Sequence, residues 1–265
     1  MTLVPDTWTL TTRMLKHNIR SVDTIITILV MPVMIMLAFV FVLGGAMNTG
    51  DPGIRYVDYV VPVVLLLAIA SGVSYTGFRT NLDVTQGMYD RFRTMPIARA
   101  SMVGGHIVSS VIINAVSVVV IFAIALLCGY RPHPGWAGFG VMAGVLLVTL
   151  VAFAVMGVAF GMAARSSEGA GVFAYVVMAL MFVSSGFAPT STMKSGLRWF
   201  ADHQPMTPII NSLRAAQSGQ IDAAATLIAL AWLVAMIIGF GLMGSWAARR
   251  VSGVIPAPAR PNSPP

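Results

Sequence analysis

Charged residues are concentrated in one stretch of this 265-residue chain, between Arg79 and His106. Four arginines stand there against two aspartates, in the order Arg79, Asp83, Asp90, Arg91, Arg93 and Arg99. Gly87 breaks the backbone before residues 88–95, and Pro96 disfavours helix at the residue that precedes it. The spacing predicts a short charged helix of about two turns between two apolar segments. Such charges suit contact with another protein surface, not catalysis.

Sequence patterns for catalysis and phosphate binding are absent. No GxxxxGK[ST] loop occurs, and neither Lys16 nor Lys194 follows a glycine, so this chain is not a P-loop ATPase. No HExxH or GxSxG motif is present. Two of the four histidines, His133 and His203, fall in predicted external connections, but two ligands without nearby carboxylates or cysteines make a weak metal site. We therefore predict a chain that is not an enzyme and holds no cofactor or metal of its own.

The composition predicts an all-α integral membrane protein. The chain is 57% hydrophobic and 9% charged, whereas soluble domains carry about 25% charged residues. Several apolar runs approach the ~20 residues that cross a bilayer. The single cysteine, Cys128, excludes an internal disulfide. The first apolar run begins near Thr24 and is long enough to span, so we expect no cleavable signal peptide.

Six membrane spans are predicted from the apolar runs. They cover about 24–44, 57–78, 104–128, 137–163, 170–188 and 222–246. The fifth is short and runs into Gly186 and Pro189, so it could end inside the membrane. Residues 24–246 would form the transmembrane domain. A tail from 247 to 265 should be disordered, since five of the fifteen prolines lie between Val254 and Pro265.

Residues 1–23 form the segment before the first span. Within it, residues 8–23 have the pattern of an amphipathic helix. Large apolar residues share one face: Trp8, Leu15, Ile19 and Val22. Basic residues share another: Arg13, Lys16, His17 and Arg20. This pattern predicts a helix that lies in the headgroup layer. The alternative is an ordinary basic arm next to the membrane.

Arginine and lysine placement predicts the orientation, because cytoplasmic loops retain positive charge. Eleven lie on one side of the predicted topology: Arg13, Lys16, Arg20, Arg79, Arg91, Arg93, Arg99, Arg165, Arg249, Arg250 and Arg260. Five lie on the other: Arg55, Arg131, Lys194, Arg198 and Arg214. Both termini are thus predicted to be cytoplasmic. The net charge of +7 then reflects topology and not nucleic-acid binding.

The external connections differ in composition. Residues 48–58 and 130–136 are short and rich in glycine and proline, which predicts plain turns. The segment 188–220 is too apolar for a solvated loop. Within it, 208–218 is predicted to be a short helix in the outer leaflet, with Pro208 in its first turn.

Small and polar residues within the spans suggest two further sites. Gly140 with Gly144, and Gly157 with Gly161, form GxxxG repeats that permit close helix packing or dimerisation, or reflect ordinary membrane composition. Serine and asparagine side chains in the second and third spans form a polar seam: Ser71, Ser74, Ser109, Ser110, Asn114 and Ser117. Ser71, Ser74, Asn114 and Ser117 are candidates for a substrate path. The alternative is bonding to a neighbouring helix, worth about 0.6 kcal/mol each.

Two groups of residues carry a resemblance to a known family. The first is Asp83, Gly87, Asp90, Arg91, Phe92, Arg93, Met95, Pro96, Ala98, Arg99 and Gly105. The second is Ser184, Ser185, Phe187, Pro189, Met193, Leu197, Arg198, Phe200, Gln204, Pro205, Thr207, Pro208, Leu213 and Arg214. The chain resembles the ABC-2 type permeases, especially their daunorubicin-resistance branch. It departs from them at Thr85, where the family often has Glu, and at His106, where Arg is common.

The resemblance implies a type V exporter architecture: a permease subunit in the bacterial plasma membrane that works with a second permease chain and two nucleotide-binding subunits, which bind ATP and Mg. It implies that one set of residues couples to the ATPase: Gly87, Met88, Tyr89, Asp90, Arg91, Phe92, Arg93, Pro96 and Arg99. It also implies an external re-entrant segment that contains Gln204, Pro205, Thr207, Pro208 and Arg214.

The expected substrate is a hydrophobic or amphipathic small molecule such as an antibiotic, which eighteen adaptable methionines would suit. The same architecture could instead export a lipid or a lipid-linked glycan. The sequence lacks the nucleophile and base that a membrane enzyme would need. It also lacks the rings of charge or the repeated filter motif of a passive channel.

Overall fold

The computed structural model describes residues 3–44, 54–88 and 99–251. These residues form helices and connecting turns, with no strand among them. The α-helices are α1 (Leu3–Arg20), α2 (Val22–Ile25), α3 (Met31–Leu37), α4 (Tyr56–Thr85), α5 (Arg99–Leu127), α6 (Gly135–Ala163), α7 (Phe173–Phe182), α8 (Ser195–His203), α9 (Met206–Gln217) and α10 (Ala223–Val251). π-helical turns cover Ile26–Val30 and Ala38–Leu43, and 3₁₀ turns cover Gly169–Gly171 and Thr190–Thr192.

Four helical segments of the described part are long and apolar enough to cross a membrane: Tyr56–Thr85, Ser101–Leu127, Gly135–Ala163 and Ala223–Arg250. They correspond to the second, third, fourth and sixth predicted spans. The first and fifth correspond to shorter apolar helices, Ile26–Val42 and Gly169–Phe182.

Helix α4 lies at the centre of the fold. Every residue from Val60 to Ala70 is buried, although the helix turns these side chains in all directions. A helix that is apolar all round must be surrounded by other elements, and α4 packs against α5, α6, α7 and α9. Two long helices, α5 and α6, therefore pack directly on α4, whereas α10 packs mainly on α6 and α9.

The long helices extend beyond the predicted spans where other elements cover them. Helix α4 continues to Thr85 and not to residue 78, and α5 begins at Arg99 and not at 104. In the last turns of α4, Asn81 Nδ2 donates hydrogen bonds to the carbonyls of Gly161 (2.8 Å) and Ala164 (2.7 Å), which joins α4 to the end of α6. Hydropathy locates the apolar part of a helix, whereas the bonds of Asn81 hold the polar turns that lie beyond it.

Helix α1 packs along the first turns of α5. Gly104 leaves room for Thr7, and Gly105 leaves room for Leu10, which is 5% exposed. The predicted helix is confirmed and runs from Leu3 to Arg20. Its predicted apolar face does not pack on the rest of the protein. Trp8 and Ile19 point outwards, at 61% and 68% exposure. Helix α1 thus has a protein-facing side and a separate exposed apolar side.

The fifth predicted span, 170–188, is helical only as far as Phe182. Helix α7 ends at Phe182, and residues 183–188 are not helical. The chain turns because Ser184 Oγ donates to the carbonyl of Met181 at 2.6 Å and accepts from the backbone N–H of Gly186 at 3.0 Å. Gly186 then packs so closely on Val63 that a Cβ would lie 2.6 Å from a Val63 methyl. The helix therefore stops where the backbone must approach α4.

Two sets of contacts define the ends of the bundle. At one, the backbone N–H of His133 donates to the carbonyl of Gln217 at 2.8 Å; we call this the α9 end. At the other, Asn81 and Ser167 join α4 to the segment after α6, and α1 packs on α5; we call this the α1 end. Within the described ranges, the connections predicted to be external lie at the α9 end, and those predicted to be cytoplasmic lie at the α1 end.

Candidate functional site

Only the borders of the predicted coupling stretch belong to the described part, where Gly87 and Met88 follow α4 and Arg99 begins α5. Tyr89, Asp90, Arg91, Phe92, Arg93 and Pro96 lie outside the described residues. Gly87 follows α4 with φ of +70°, the left-handed conformation that glycine adopts without a steric penalty. The backbone thus leaves the helical path at the predicted glycine, with Met88 next to it, and α5 starts at Arg99.

An acidic and an imidazole side chain meet between the two helices that flank this stretch. Asp83 Oδ2 in α4 lies 3.2 Å from His106 Nε2 in α5, and the His106 side chain is 5% exposed. The geometry is not that of a hydrogen bond, and Nε2 has no hydrogen-bond partner among the described residues. The contact is therefore an ion pair only when the imidazole is protonated. It joins the last turns of α4 to the first turns of α5.

The polar seam bonds helices to one another. Thr76 Oγ1 donates to Ser110 Oγ at 2.9 Å across α4 and α5, and Asn114 Nδ2 donates to the carbonyl of Ser110 at 2.8 Å. Asn114 Oδ1 is buried against Gly72 and has no hydrogen-bond partner in the described part. Ser117 Oγ donates to the carbonyl of Ile28 at 2.8 Å.

The other two seam residues lie on α4. Ser71 donates to Leu67 of its own helix at 2.9 Å, and Ser74 lies beside Gly171. A cavity of about 30 Å³, room for about one water, is lined near the seam by Thr76, Ser109 and Ser110. Ser71, Ser74, Asn114 and Ser117 are not among its lining residues. A substrate path along these four stays a prediction.

Arg214 is the centre of the polar contacts at the α9 end. Its Nη2 lies 3.0 Å from the carbonyl of Ser185 and 3.2 Å from that of Tyr59, and its Cζ lies 3.8 Å above the Tyr59 ring. The Tyr59 hydroxyl donates back to the Ser185 carbonyl at 2.9 Å. Arg214 thus joins α9, α4 and the turn after α7.

We expect Arg214→Met to loosen this end of the bundle. The methionine keeps an apolar stem but removes a charged donor, a loss that costs about 2 kcal/mol or more and lowers Tm by at least about 4 °C. Arg198→Met is the control, because Arg198 makes only an exposed pair with Asp202 at 3.7 Å, worth under about 1 kcal/mol. Thermal unfolding in detergent, followed by tryptophan fluorescence, compares the two. Equal Tm values would contradict the role given to Arg214.

A short non-helical connection links α5 and α6 near the predicted turn 130–136, and side-chain contacts fix it to the bundle. Tyr130 is 1% exposed, and its hydroxyl donates to Gln217 Oε1 at 2.7 Å. Gln217 Nε2 donates to the carbonyl of Asp58 at 2.6 Å. Burial, aided by the charge of Asp58, raises the pKa of Tyr130, so its hydroxyl stays a proton donor. Sequence reasoning missed Tyr130 and Gln217; a tyrosine inside a glycine- and proline-rich turn was the available signal.

The predicted short helix near 208–218 is confirmed as α9, Met206–Gln217. Pro205 is its N-cap residue, and Pro208 lies in its first turn. Gln204 Nε2 donates to the carbonyl of Leu180 at 3.1 Å, and Thr207 Oγ1 donates to that of Ala201 at 2.6 Å. These side chains hold α8 and α9 at a corner against α7.

The two GxxxG repeats of α6 have different surroundings. A Cβ on Gly157 would lie 2.6 Å from a Val73 methyl, and one on Gly161 would lie 2.7 Å from the Thr80 Cβ. This pair therefore allows α6 to pack on α4 within the chain. Gly140 and Gly144 have no described atom within 4 Å of the same position.

Comparison with known proteins finds a family whose match includes residues from both ends of the bundle. A family described as ABC-2 type transporter matches residues 5–218, from α1 through α9. The daunorubicin resistance ABC transporter permease protein DrrB1 of Streptomyces coeruleorubidus is 28% identical over 218 residues, which cover 80% of this chain and 76% of that protein. The probable doxorubicin resistance ABC transporter permease protein DrrC of Mycobacterium tuberculosis is 24% identical over 213 residues, 77% of this chain and 74% of that protein.

Proposed function

This chain belongs to the ABC-2 type transporter family, and from that premise we propose that it is the membrane permease subunit of an ATP-driven exporter. The observation that supports this proposal is the family match, which extends from α1 to α9 and includes the coupling stretch and Arg214. Members of this family that resemble it are permeases of drug-resistance transporters. The ATP and Mg would be bound by a partner ATPase, because this sequence has no P-loop.

The proposed cargo is a hydrophobic or amphipathic small molecule of the antibiotic type. Two similar permeases are named for resistance to daunorubicin and doxorubicin. A cargo of this kind partitions into the bilayer, so a permease can receive it from the lipid. Export across a bacterial plasma membrane would then lower its concentration in the cell.

The proposed topology has six crossings, with the α1 end in the cytoplasm. Eleven of the sixteen basic residues belong to connections and termini assigned to that side. Helix α7 has ten residues, about 15 Å of helix, half the ~30 Å apolar thickness. In this topology the turn after α7, with α8 and α9, completes the fifth crossing as a re-entrant segment.

The proposed coupling route enters through the segment between Gly87 and Arg99. A partner that pushes on this segment moves the ends of α4 and α5, because both helices flank it directly. The Asp83–His106 contact and the bonds of Asn81 would carry the motion to α5 and α6. A second permease chain would complete the transporter, and Gly140 with Gly144 remain open for contact with another helix.

Affinity purification in mild detergent tests the proposed assembly. The tagged chain, expressed in its native host, should recover a soluble P-loop ATPase, identified by mass spectrometry. The purified complex in proteoliposomes should then transport daunorubicin in an ATP-dependent manner, with a fluorescent phospholipid as the competing cargo. Recovery of the chain without any ATPase would contradict the subunit assignment, and transport of phospholipid alone would replace the drug with a lipid as cargo.

A further inference from the structure

We propose that the groove between α1 and the ends of α4 and α5 binds the headgroup of an anionic phospholipid. The groove is open and has a volume of about 540 Å³, within the range of about 300–1,000 Å³ typical of ligand sites. Its walls come from three elements, α1, α4 and α5, so its shape depends on the tertiary packing of this end.

Positive charge dominates the lining. Arg13, Lys16 and Arg20 on α1 and Arg79 on α4 face the groove, and Asp83 is the one carboxylate among its lining residues. The three α1 residues recur at intervals of three and four, which places them on one side of the helix. Four cations against one anion favour a phosphate group and disfavour a cationic drug. Arginine also recognises phosphate through two parallel hydrogen bonds.

The rest of the lining is apolar. Leu10 is 5% exposed and Met102 is 4% exposed, and Met14 lies beside them. A site with cations at its rim and apolar side chains at its base matches a phospholipid, whose phosphate adjoins acyl chains. A free phosphate ion would leave the apolar part unused.

Helix α1 places this groove at the depth of lipid headgroups. Val4, Trp8 and Ile19 are 80%, 61% and 68% exposed on a face of α1 separate from the basic one. An amphipathic helix with these two faces lies in the bilayer interface, its apolar side in the acyl region and its basic side level with the phosphates. The proposal concerns a bound membrane lipid and does not depend on which cargo is transported.

Native mass spectrometry of the full chain with added lipid tests the proposal. We expect phosphatidylglycerol to bind at least about tenfold more tightly than phosphatidylcholine, since each basic residue near a membrane surface contributes about fivefold. The triple variant Arg13→Gln, Lys16→Gln, Arg20→Gln should lose at least about tenfold in phosphatidylglycerol affinity. Its matched control is Arg165→Gln, Arg249→Gln, Arg250→Gln, which removes three exposed charges at the same end of the bundle.

Each result of these binding measurements leads to a different conclusion about the groove. Retention of phosphatidylglycerol by the control and its loss by the groove variant would support the site. Equal affinities in the two triple variants would overturn it, as would equal binding of the two lipids to the wild-type chain. Displacement by glycerol 3-phosphate at equimolar concentration would show that the groove takes a soluble phosphate, which also overturns a lipid site. Size-exclusion chromatography confirms that each variant is folded before lipid is added.

Discussion

Replacing Gly161 with leucine is expected to destabilise the folded protein strongly, whereas the same change at Gly140 leaves its stability nearly unchanged. A Cβ at position 161 would lie 2.5 Å from the carbonyl oxygen of Gly77 and 2.7 Å from the Cβ of Thr80, so both the backbone and a side chain of α4 would have to move. At position 140, no described atom lies within 4 Å. The two sites share a helix, a residue type and a GxxxG repeat.

The size of the expected destabilisation depends on where this contact lies in the fold. Overpacking commonly costs about 1–3 kcal/mol, and more when backbone must shift. Helix α4 is buried throughout its middle, so displacing α6 from it disturbs the centre of the fold. We expect Gly161→Leu to lower Tm by at least about 6 °C, or to elute as aggregate in size-exclusion chromatography of a fluorescent fusion. A Gly161→Leu variant as stable as Gly140→Leu would show that α4 and α6 do not pack as described.

Phe92→Ala and Arg93→Glu are expected to leave the chain inserted and folded but to remove most ATP-driven export. The proposed function places both residues against a partner ATPase. Truncation of an aromatic side chain at the centre of an interface commonly costs about 2 kcal/mol or more, about thirtyfold in Kd. Reversal of a charge adds repulsion where a pair existed. Both variants should be present in the membrane at the wild-type level, while daunorubicin export falls by at least about tenfold.

The matched controls are Phe139→Ala and Arg165→Glu. Phe139 is 56% exposed on α6, and Arg165 is exposed after α6 at the α1 end. Both controls should export at the wild-type rate and retain the ATPase during purification. Normal ATP-driven export by Phe92→Ala and Arg93→Glu would remove this segment from the coupling mechanism, without affecting membership of the family.

The family and the main helices were accessible from the sequence because their signals are local. Apolar runs of sufficient length predicted α4, α5, α6 and α10, and the two signature groups predicted the family that the comparison shows. The apolar content of the segment before the last span predicted α9 within two residues at its start and one at its end. Each of these depends on neighbouring residues only, so no knowledge of packing was required.

Tertiary structure alone decided which surfaces meet. Hydropathy cannot separate a side chain that faces lipid from one that faces protein, because both surroundings are apolar. For this reason the sequence could not distinguish Gly157 and Gly161, which pack on α4, from Gly140, which faces outwards. For the same reason it assigned Trp8 and Ile19 to the apolar side of α1 but did not show that Leu10 is the residue against α5.

Polar contacts between distant segments were equally inaccessible. Arg214 reaches Tyr59 across 155 residues, and Tyr130 reaches Gln217 across 87, so no local pattern records either pair. The sequence by itself determined a multi-pass ABC-2 chain with a charged segment between its second and third spans. The fold decided that α7 stops after ten residues, where Ser184 bonds back to the carbonyl of Met181 and Gly186 packs on Val63.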